Sequence, residues 1–326
     1  MIGTRTPFRF SFVGGGTDLP SFYRERPGRV VSTSIDKYMY IFLHPHFENK
    51  FLVKYSRTEF VDRASDIAHP IVRQALTRFS FDGLDINSIA DIPAGTGLGS
   101  SSAFTVGLLH ALYAQAGRTV SKARLASEAS TIEIDELKEP IGKQDQFASA
   151  FGGFNRITFN TDESVHVEPL PLTASRARDF RANVLVLYMG GARDARGVLA
   201  DQEKNVSASL DKKRFLSDMA DMVDPFADAL VAGNLAECGR ILEQGWQMKR
   251  KLSSMIANDA CDTYHDTALA NGAIGGKLLG AGGGGFLLFI APPDTHARIR
   301  TALPNLRAMD FAFDTTGSTL IHNDAV

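Results

Sequence analysis

The segment PAGTGLGSSSAF, residues 93–104, limits the fold of this chain more than any other stretch. It follows a strand-like run, residues 82–92, and leads into a strongly apolar helical pattern over residues 100–115 that Gly117 ends. A strand, a glycine loop and a helix in that order aim free backbone N–H groups and the positive end of a helix dipole at an anion. Gly95, Gly97 and Gly99 let backbone approach such a ligand closely, and Ser100, Ser101 and Ser102 place hydroxyls beside it. A serine N-cap alone would account for one serine and none of the glycines. The spacing is not that of a Walker loop, which ends in Gly-Lys-Ser/Thr, nor that of G-x-G-x-x-G. A hydroxyl at such a helix start can also bind Mg2+ next to phosphates, so the segment reads as a cradle for a metal-bound nucleotide.

Around the loop, apolar residues alternate with polar ones over residues 8–13, 37–43 and 51–55, which predicts strands. Helical spacing covers residues 65–79 and 121–137, and strands are expected at 154–159 and 165–170. The second half opens on the strand NVLVLYMG, continues through helical patterns at 195–223, 225–232, 235–256 and 259–271, and reaches GAGGGG and a strand over 286–291. A last helix and strand follow. Strands with antiparallel-style alternation, mixed with helices, indicate α+β architecture rather than a doubly wound sheet.

A chain of 326 residues with 44% hydrophobic content exceeds what one core usually organises. Two domains are expected, residues 1–180 and 181–326, joined near Pro169, Pro171 and the Arg-rich stretch 173–181. A net charge of −2 without aromatic-basic clustering argues against nucleic acid as a partner. Cys238 and Cys261 are too few for a disulfide framework and read as buried thiols in a reducing compartment. Arg5 and Arg9 interrupt the apolar N-terminal stretch, and no window approaches ~18 apolar residues, so a cytoplasmic protein without a membrane partner is expected. The eight histidines form no ligand spacing.

Taken with the rest of its motif, PxGxGLGSSSA resembles the phosphate loop of the GHMP kinases, the superfamily of galactokinase, homoserine kinase and mevalonate kinase. The same resemblance covers RFSFVGGGTD, residues 9–18, similar to the family's R-x-x-x-x-G-x-x-x-D acceptor turn, and KLLGAGGGGF, residues 277–286, which carries every fixed position of K-x-x-G-A-G-x-G-G. It implies two α+β domains, the first like the second domain of ribosomal protein S5 and the second ferredoxin-like, with the active site in the cleft between them. By that match, Pro93, Gly95, Gly97, Leu98, Gly99 and the three serines would hold ATP together with Gly282 and Gly283. Asp18 and Thr17 would contact acceptor hydroxyls, with Arg9 turned toward the transferring phosphoryl group or the base. Gly15 and Gly16 stand where galactokinase has larger side chains, which opens room for a bulkier sugar.

Phosphoryl transfer asks for alignment, electrostatics and a carboxylate base to take or orient the acceptor's proton. PIGKQDQF resembles the family stretch carrying the catalytic aspartate, which points to Asp145, lying between Gly142 and an apolar run. Lys143 is a candidate to assist it or to neutralise phosphate. Glu133 matches the family's acidic Mg2+ ligand, opposite Ser101, with Glu136 as the rival; Glu128 and Glu139 read as a solvated face. FRFSFVGGGTDLPSFY, EPIGKQDQFASAFGGFN and YMGGARDARGVLADQ are together similar to the branch that phosphorylates D-glycero-D-manno-heptose 7-phosphate at its anomeric hydroxyl, on the way to nucleotide-heptose for bacterial surface polysaccharide. A substrate already bearing phosphate needs a second cationic pocket, for which Gly190, Arg193 and Arg196 are candidates. Other acceptors such as fucose or galactose, and a sensor that binds ATP and sugar without turnover, stay open, as does assembly into a homo-oligomer.

Overall fold

The computed structural model describes residues 1–191 and 195–324. Its larger sheet has nine strands, built on the antiparallel pairing of Ile2–Val13 with Gly28–Pro45, in which Phe10 faces Thr33 and Thr4 faces Ile41. Gly28–Pro45 is long enough to serve two neighbours. Its first residues pair with Phe154–Phe159 and its last with Leu84–Ala90. Phe51–Lys54 runs parallel to Leu84–Ala90, and every other pairing in the sheet is antiparallel.

Helix Ser100–Gln115 lies against this sheet, buried almost all round from Ser102 to Leu109, which is why its sequence is apolar on every face. Gly107 permits the close approach, since a Cβ there would stand 2.8 Å from Thr6 Oγ1. The hydroxyl of Thr4 donates to the Gly107 carbonyl.

The smaller sheet contains Arg307–Ala308, Val184–Gly190, Gly285–Ile290 and Gly275–Leu278 in that spatial order, all antiparallel. Numbered along the chain this is 4-1-3-2, the ferredoxin-like order. Its two faces divide by alternation. Val184, Val186, Leu288 and Ile290 join the core of the larger sheet, whereas Leu185, Leu187, Leu287 and Phe289 pack with Trp246, Leu252 and Ile299 into a second core. The two halves are therefore fused through apolar packing rather than joined by a solvated linker.

Several boundaries differ from expectation. Pro70 at a helix start, capped by His69, divides the pattern of residues 65–79 into a short turn at Ala64–Asp66 and a helix at Pro70–Leu76. The pattern of residues 121–137 is α-helical only over Lys122–Ser130 and then widens into a π-helical turn, Thr131–Glu136. Ser209 caps a new helix and splits residues 195–223 into Ala195–Ser207 and Leu210–Asp221. Near the chain's end, Phe313–Asp314 and Thr319–Asn323 return to the larger sheet. The second of these strands covers the otherwise unpaired edge at Ile2–Arg5.

Candidate active site

A cavity of about 490 Å³ is lined by residues of both halves, among them Arg9, Asp18, Gly97, Ser101, Asp145, Lys249 and Gly280. One wall is the glycine loop. Gly95, Gly97 and Gly99 all take positive φ, between +76° and +85°, and Gly99 leads into helix Ser100–Gln115 with no side chain capping its N-terminus. The second glycine loop closes on the first. A Cβ on Gly97 would stand 2.4 Å from the Leu279 carbonyl oxygen, and one on Gly280 would stand 2.4 Å from Gly97 Cα. Both contacts are backbone on backbone, so these glycines are required by space as well as by φ.

The facing wall carries the carboxylates. Asp145 lies in the first turn of helix Gln144–Phe151, and Arg9 grips it with Nε on Oδ1 and Nη2 on Oδ2, both at 2.8 Å. Arg9 is only 3% exposed. It also donates from Nη1 to the Gly97 carbonyl, and its backbone N–H bonds the Leu98 carbonyl, so a single residue ties the acceptor strand, the phosphate loop and Asp145 together. A bidentate guanidinium fixes the direction of a carboxylate as well as pairing its charge.

Asp18 is buried beside this pair. Its Oδ1 accepts from the Gly16 N–H at 2.9 Å and its Oδ2 from the Gln144 N–H at 3.3 Å. Burial, and after it the neighbouring Asp145, hold the Asp18 carboxyl above the ordinary carboxylate value. Gly142 makes room for it, since a Cβ there would lie 2.0 Å from Asp18 Oδ2.

Glu133 is fully buried in the π-helical turn, where the widened backbone turns it inward. Its carboxylate accepts from Ser101 Oγ and from Gln146 Nε2, each at 2.7 Å, and burial raises its pKa. Glu136 instead pairs with Arg78. Ser101 lines the cavity, and Glu133 lies fully buried behind it, reached through the Ser101 hydroxyl.

Other expected residues fall elsewhere. Lys143 does not reach Asp145; its ammonium pairs with Glu163 and lies over the Tyr23 ring, because Arg9 already fills the position beside the carboxylate. Thr17 turns inward and locks the turn, donating to the carbonyls of Gly14 and Arg29 and accepting from the Arg29 N–H. Gly15 and Gly16 line the cavity, but Gly190 lies away from it, under Gly284. In the second glycine loop the cavity is met by Gly280 and Ala281, while Gly282 and Gly283 back onto Ile256. Pro93 and Leu98 shape the first loop through their carbonyls, which take Thr96 Oγ1 and the Arg9 N–H. Arg196 lines the cavity and pairs with Glu139, which is partly buried and also lines the cavity rather than standing on an outer face; Glu128 holds Tyr113 and Arg124. Arg193 lies outside the described residues.

The motifs assign no role to three cavity residues, although Gln144 lies within PIGKQDQF and Gln202 closes YMGGARDARGVLADQ. Gln202, on Ala195–Ser207, is 1% exposed and its Nε2 has no hydrogen-bond partner among the described residues. Lys249, on Leu235–Arg250, is 7% exposed and donates to the Gly280 carbonyl. Gln144 accepts from Ser11 Oγ. Lys277 opens the C-terminal motif, and its ammonium holds the carbonyls of Ser11 and Phe12 at 2.8 and 2.9 Å, pinning the strand that carries Arg9.

The model of the GHMP kinases N terminal domain matches residues 65–153, and that of the GHMP kinases C terminal matches residues 226–306. The D-glycero-alpha-D-manno-heptose 7-phosphate kinase of Campylobacter jejuni is 28% identical, over 97% of this chain and 97% of its own. The L-fucokinase/L-fucose-1-P guanylyltransferase of Bacteroides fragilis is 25% identical over 94% of this chain, which spans 37% of that longer protein. A D-glycero-D-manno-heptose 1-phosphate kinase from Bacteroides thetaiotaomicron shares the fold, with a TM-score of 0.80 over 99% of both chains at 22% identity. With both domain models matched in order along the chain and two glycine loops meeting over one carboxylate, this protein belongs to the GHMP kinases.

Proposed function

We propose that this kinase transfers the γ-phosphoryl group of ATP to the anomeric hydroxyl of D-glycero-D-manno-heptose 7-phosphate, giving the 1,7-bisphosphate. The observation that carries the chemistry is the Arg9–Asp145 pair, set where the phosphate loop meets the acceptor turn. The acceptor's O–H gives its proton to Asp145, its oxygen attacks the γ-phosphorus, and the bond from that phosphorus to the β,γ-bridging oxygen breaks, so that ADP leaves with the bridging oxygen. The amides at the start of Ser100–Gln115 face the phosphates. Asp18 and the unpartnered Gln202 amide face the acceptor.

The donor set suits Mg2+. No group of three or more His, Cys, Asp or Glu side chains among the described residues would hold a metal unaided, and Mg2+ usually takes one or two carboxylates and fills its remaining positions with phosphate and water. Glu133 and Ser101 are the residues that would hold it. When bound, the ion neutralises charge on the β- and γ-phosphates.

The heptose 7-phosphate assignment is supported by the Campylobacter jejuni relative, whose similarity spans both chains, and by the open turn at Gly15 and Gly16. In this reading the enzyme works in the cytoplasm, in nucleotide-heptose synthesis for bacterial surface polysaccharide. Among the described residues no helix is long and apolar enough to cross a membrane. A second reading, a fucose-type acceptor, is favoured by the Bacteroides fragilis relative and by the engagement of Arg196 with Glu139. ATP turnover with Mg2+ across heptose 7-phosphate, unphosphorylated heptose, fucose and galactose separates them. Turnover confined to the phosphorylated heptose is expected. Preference for a plain sugar would discard the heptose phosphate.

A further inference from the structure

The cavity poses a charge problem that the family motifs leave open. No lysine ends the glycine loop as one ends a Walker loop, yet a transferring phosphoryl group spreads negative charge over its equatorial oxygens. Of the cavity-lining cations among the described residues, Arg9 is spent on Asp145 and Gly97, Lys277 on the carbonyls of Ser11 and Phe12, and Arg196 pairs with Glu139. Lys249 has a different balance. Its ammonium carries three N–H donors and makes one hydrogen bond among the described residues, to the Gly280 carbonyl.

Its position is equally specific. Gly280 abuts Gly97, and the Gly97 carbonyl accepts from Arg9, which grips Asp145. Lys249 therefore stands where the two glycine loops cross, next to the line from the phosphates to the acceptor carboxylate. Burying an ammonium is costly unless something anionic repays it. Burial, and after it Arg9, pull the Lys249 pKa down to about 8, against the opposing pull of Asp18 and Asp145.

We propose that Lys249 is a catalytic residue, the cation that takes up charge on the γ-phosphoryl group during transfer. The remaining ammonium protons meet equatorial oxygens of the phosphoryl group as its bond to the bridging oxygen breaks and its bond to the acceptor oxygen forms. No proton leaves the lysine. The inference rests on phosphoryl transfer and not on the identity of the acceptor, so the variants are compared on whichever sugar the wild-type enzyme turns over.

Lys249→Gln keeps a donor for Gly280 and removes the charge, whereas Lys249→Arg keeps the charge. The expected result is a kcat lower by on the order of 10²–10³ in the Gln variant, as for loss of one transition-state donor, against a loss of about tenfold or less in the Arg variant. ATP affinity measured calorimetrically without acceptor should stay within about threefold in both. Equal kcat in the two variants, or a fall in ATP affinity that matches the fall in kcat, would assign Lys249 to holding the Gly280 loop and overturn the proposal. Should the Gln variant lack a cooperative melting transition, the pH profile of the Arg variant decides. The groups around the ammonium are Arg9, Lys277, Asp18 and Asp145. The wild-type kcat/KM should fall as pH rises through about 8, where the charge is lost, and this limb should move up by at least about one unit in Lys249→Arg. An unmoved limb overturns the proposal.

Discussion

Gln202 shows how little of a binding site need be written in the sequence. A glutamine on an amphipathic helix is ordinarily a surface residue, and only the fold reveals this one as buried, facing the cavity, with an amide nitrogen lacking a partner among the described residues. A ligand oxygen that satisfies it gains affinity, and an apolar replacement forfeits that gain. Gln202→Leu should raise the acceptor KM by roughly tenfold with kcat and ATP KM little changed, read from initial rates at varied acceptor. A change confined to ATP KM would place the residue on the nucleotide side. Motif residues fare differently. Arg9, Asp18 and Asp145 are each visible in the sequence, and the family resemblance turns Arg9 toward the phosphoryl group or the base; only the fold shows that it grips Asp145 with two hydrogen bonds across 136 positions. Lys143 misleads for the same reason: nearness in sequence to Asp145 says nothing about which cation the fold delivers to it.

The glycine loops are the elements that the sequence discloses best, since their alternation has no ordinary use in a helix or strand interior. Their mutual contact gives a direct prediction. Gly97→Ala would place a Cβ 2.4 Å from the Leu279 carbonyl oxygen at a φ of +85°, and Gly280→Ala would meet Gly97 Cα at φ +78°. Either change should weaken ATP binding more than tenfold by calorimetry and lower Tm, at a local backbone cost of about 1–2 kcal/mol before any clash. Wild-type ATP affinity in both variants would contradict the packing of the loops. Helix Ser100–Gln115 follows its apolar pattern to the residue, whereas the π-helical turn at Thr131–Glu136 was hidden inside a continuous helical period. Helix periodicity counts apolar spacing and is blind to a change of hydrogen-bond register. Here that change is what buries Glu133 beside Ser101. The strands Thr58–Val61 and Gly275–Leu278 escaped notice because one is a short edge and the other begins with two glycines.

At the scale of the molecule, two sheets share one apolar core and a single cavity draws on both. Ion pairs strengthen the junction, with Asp224 holding Arg29 at 2.7 Å and Arg156 at 2.6 Å across nearly two hundred and about seventy positions of sequence. Chain length and composition suggest two domains but cannot show that the last strands return to the first sheet, because that pairing is set by which edge lies open. The fusion matters for the chemistry: the first half contributes Arg9, Asp18, Asp145 and the phosphate loop, and the second contributes Lys249, Gln202 and the loop that closes on Gly97. In the proposed mechanism, Asp145, aimed by Arg9, receives the acceptor's proton in a site that binds ATP independently of it. The most direct test of that role is Asp145→Asn, with kcat on the preferred sugar and calorimetric ATP affinity measured on the same preparation. A fall in kcat of on the order of 10²–10⁴ with ATP affinity within about threefold of wild type is expected. A variant that retains kcat to within about tenfold would contradict that role for Asp145.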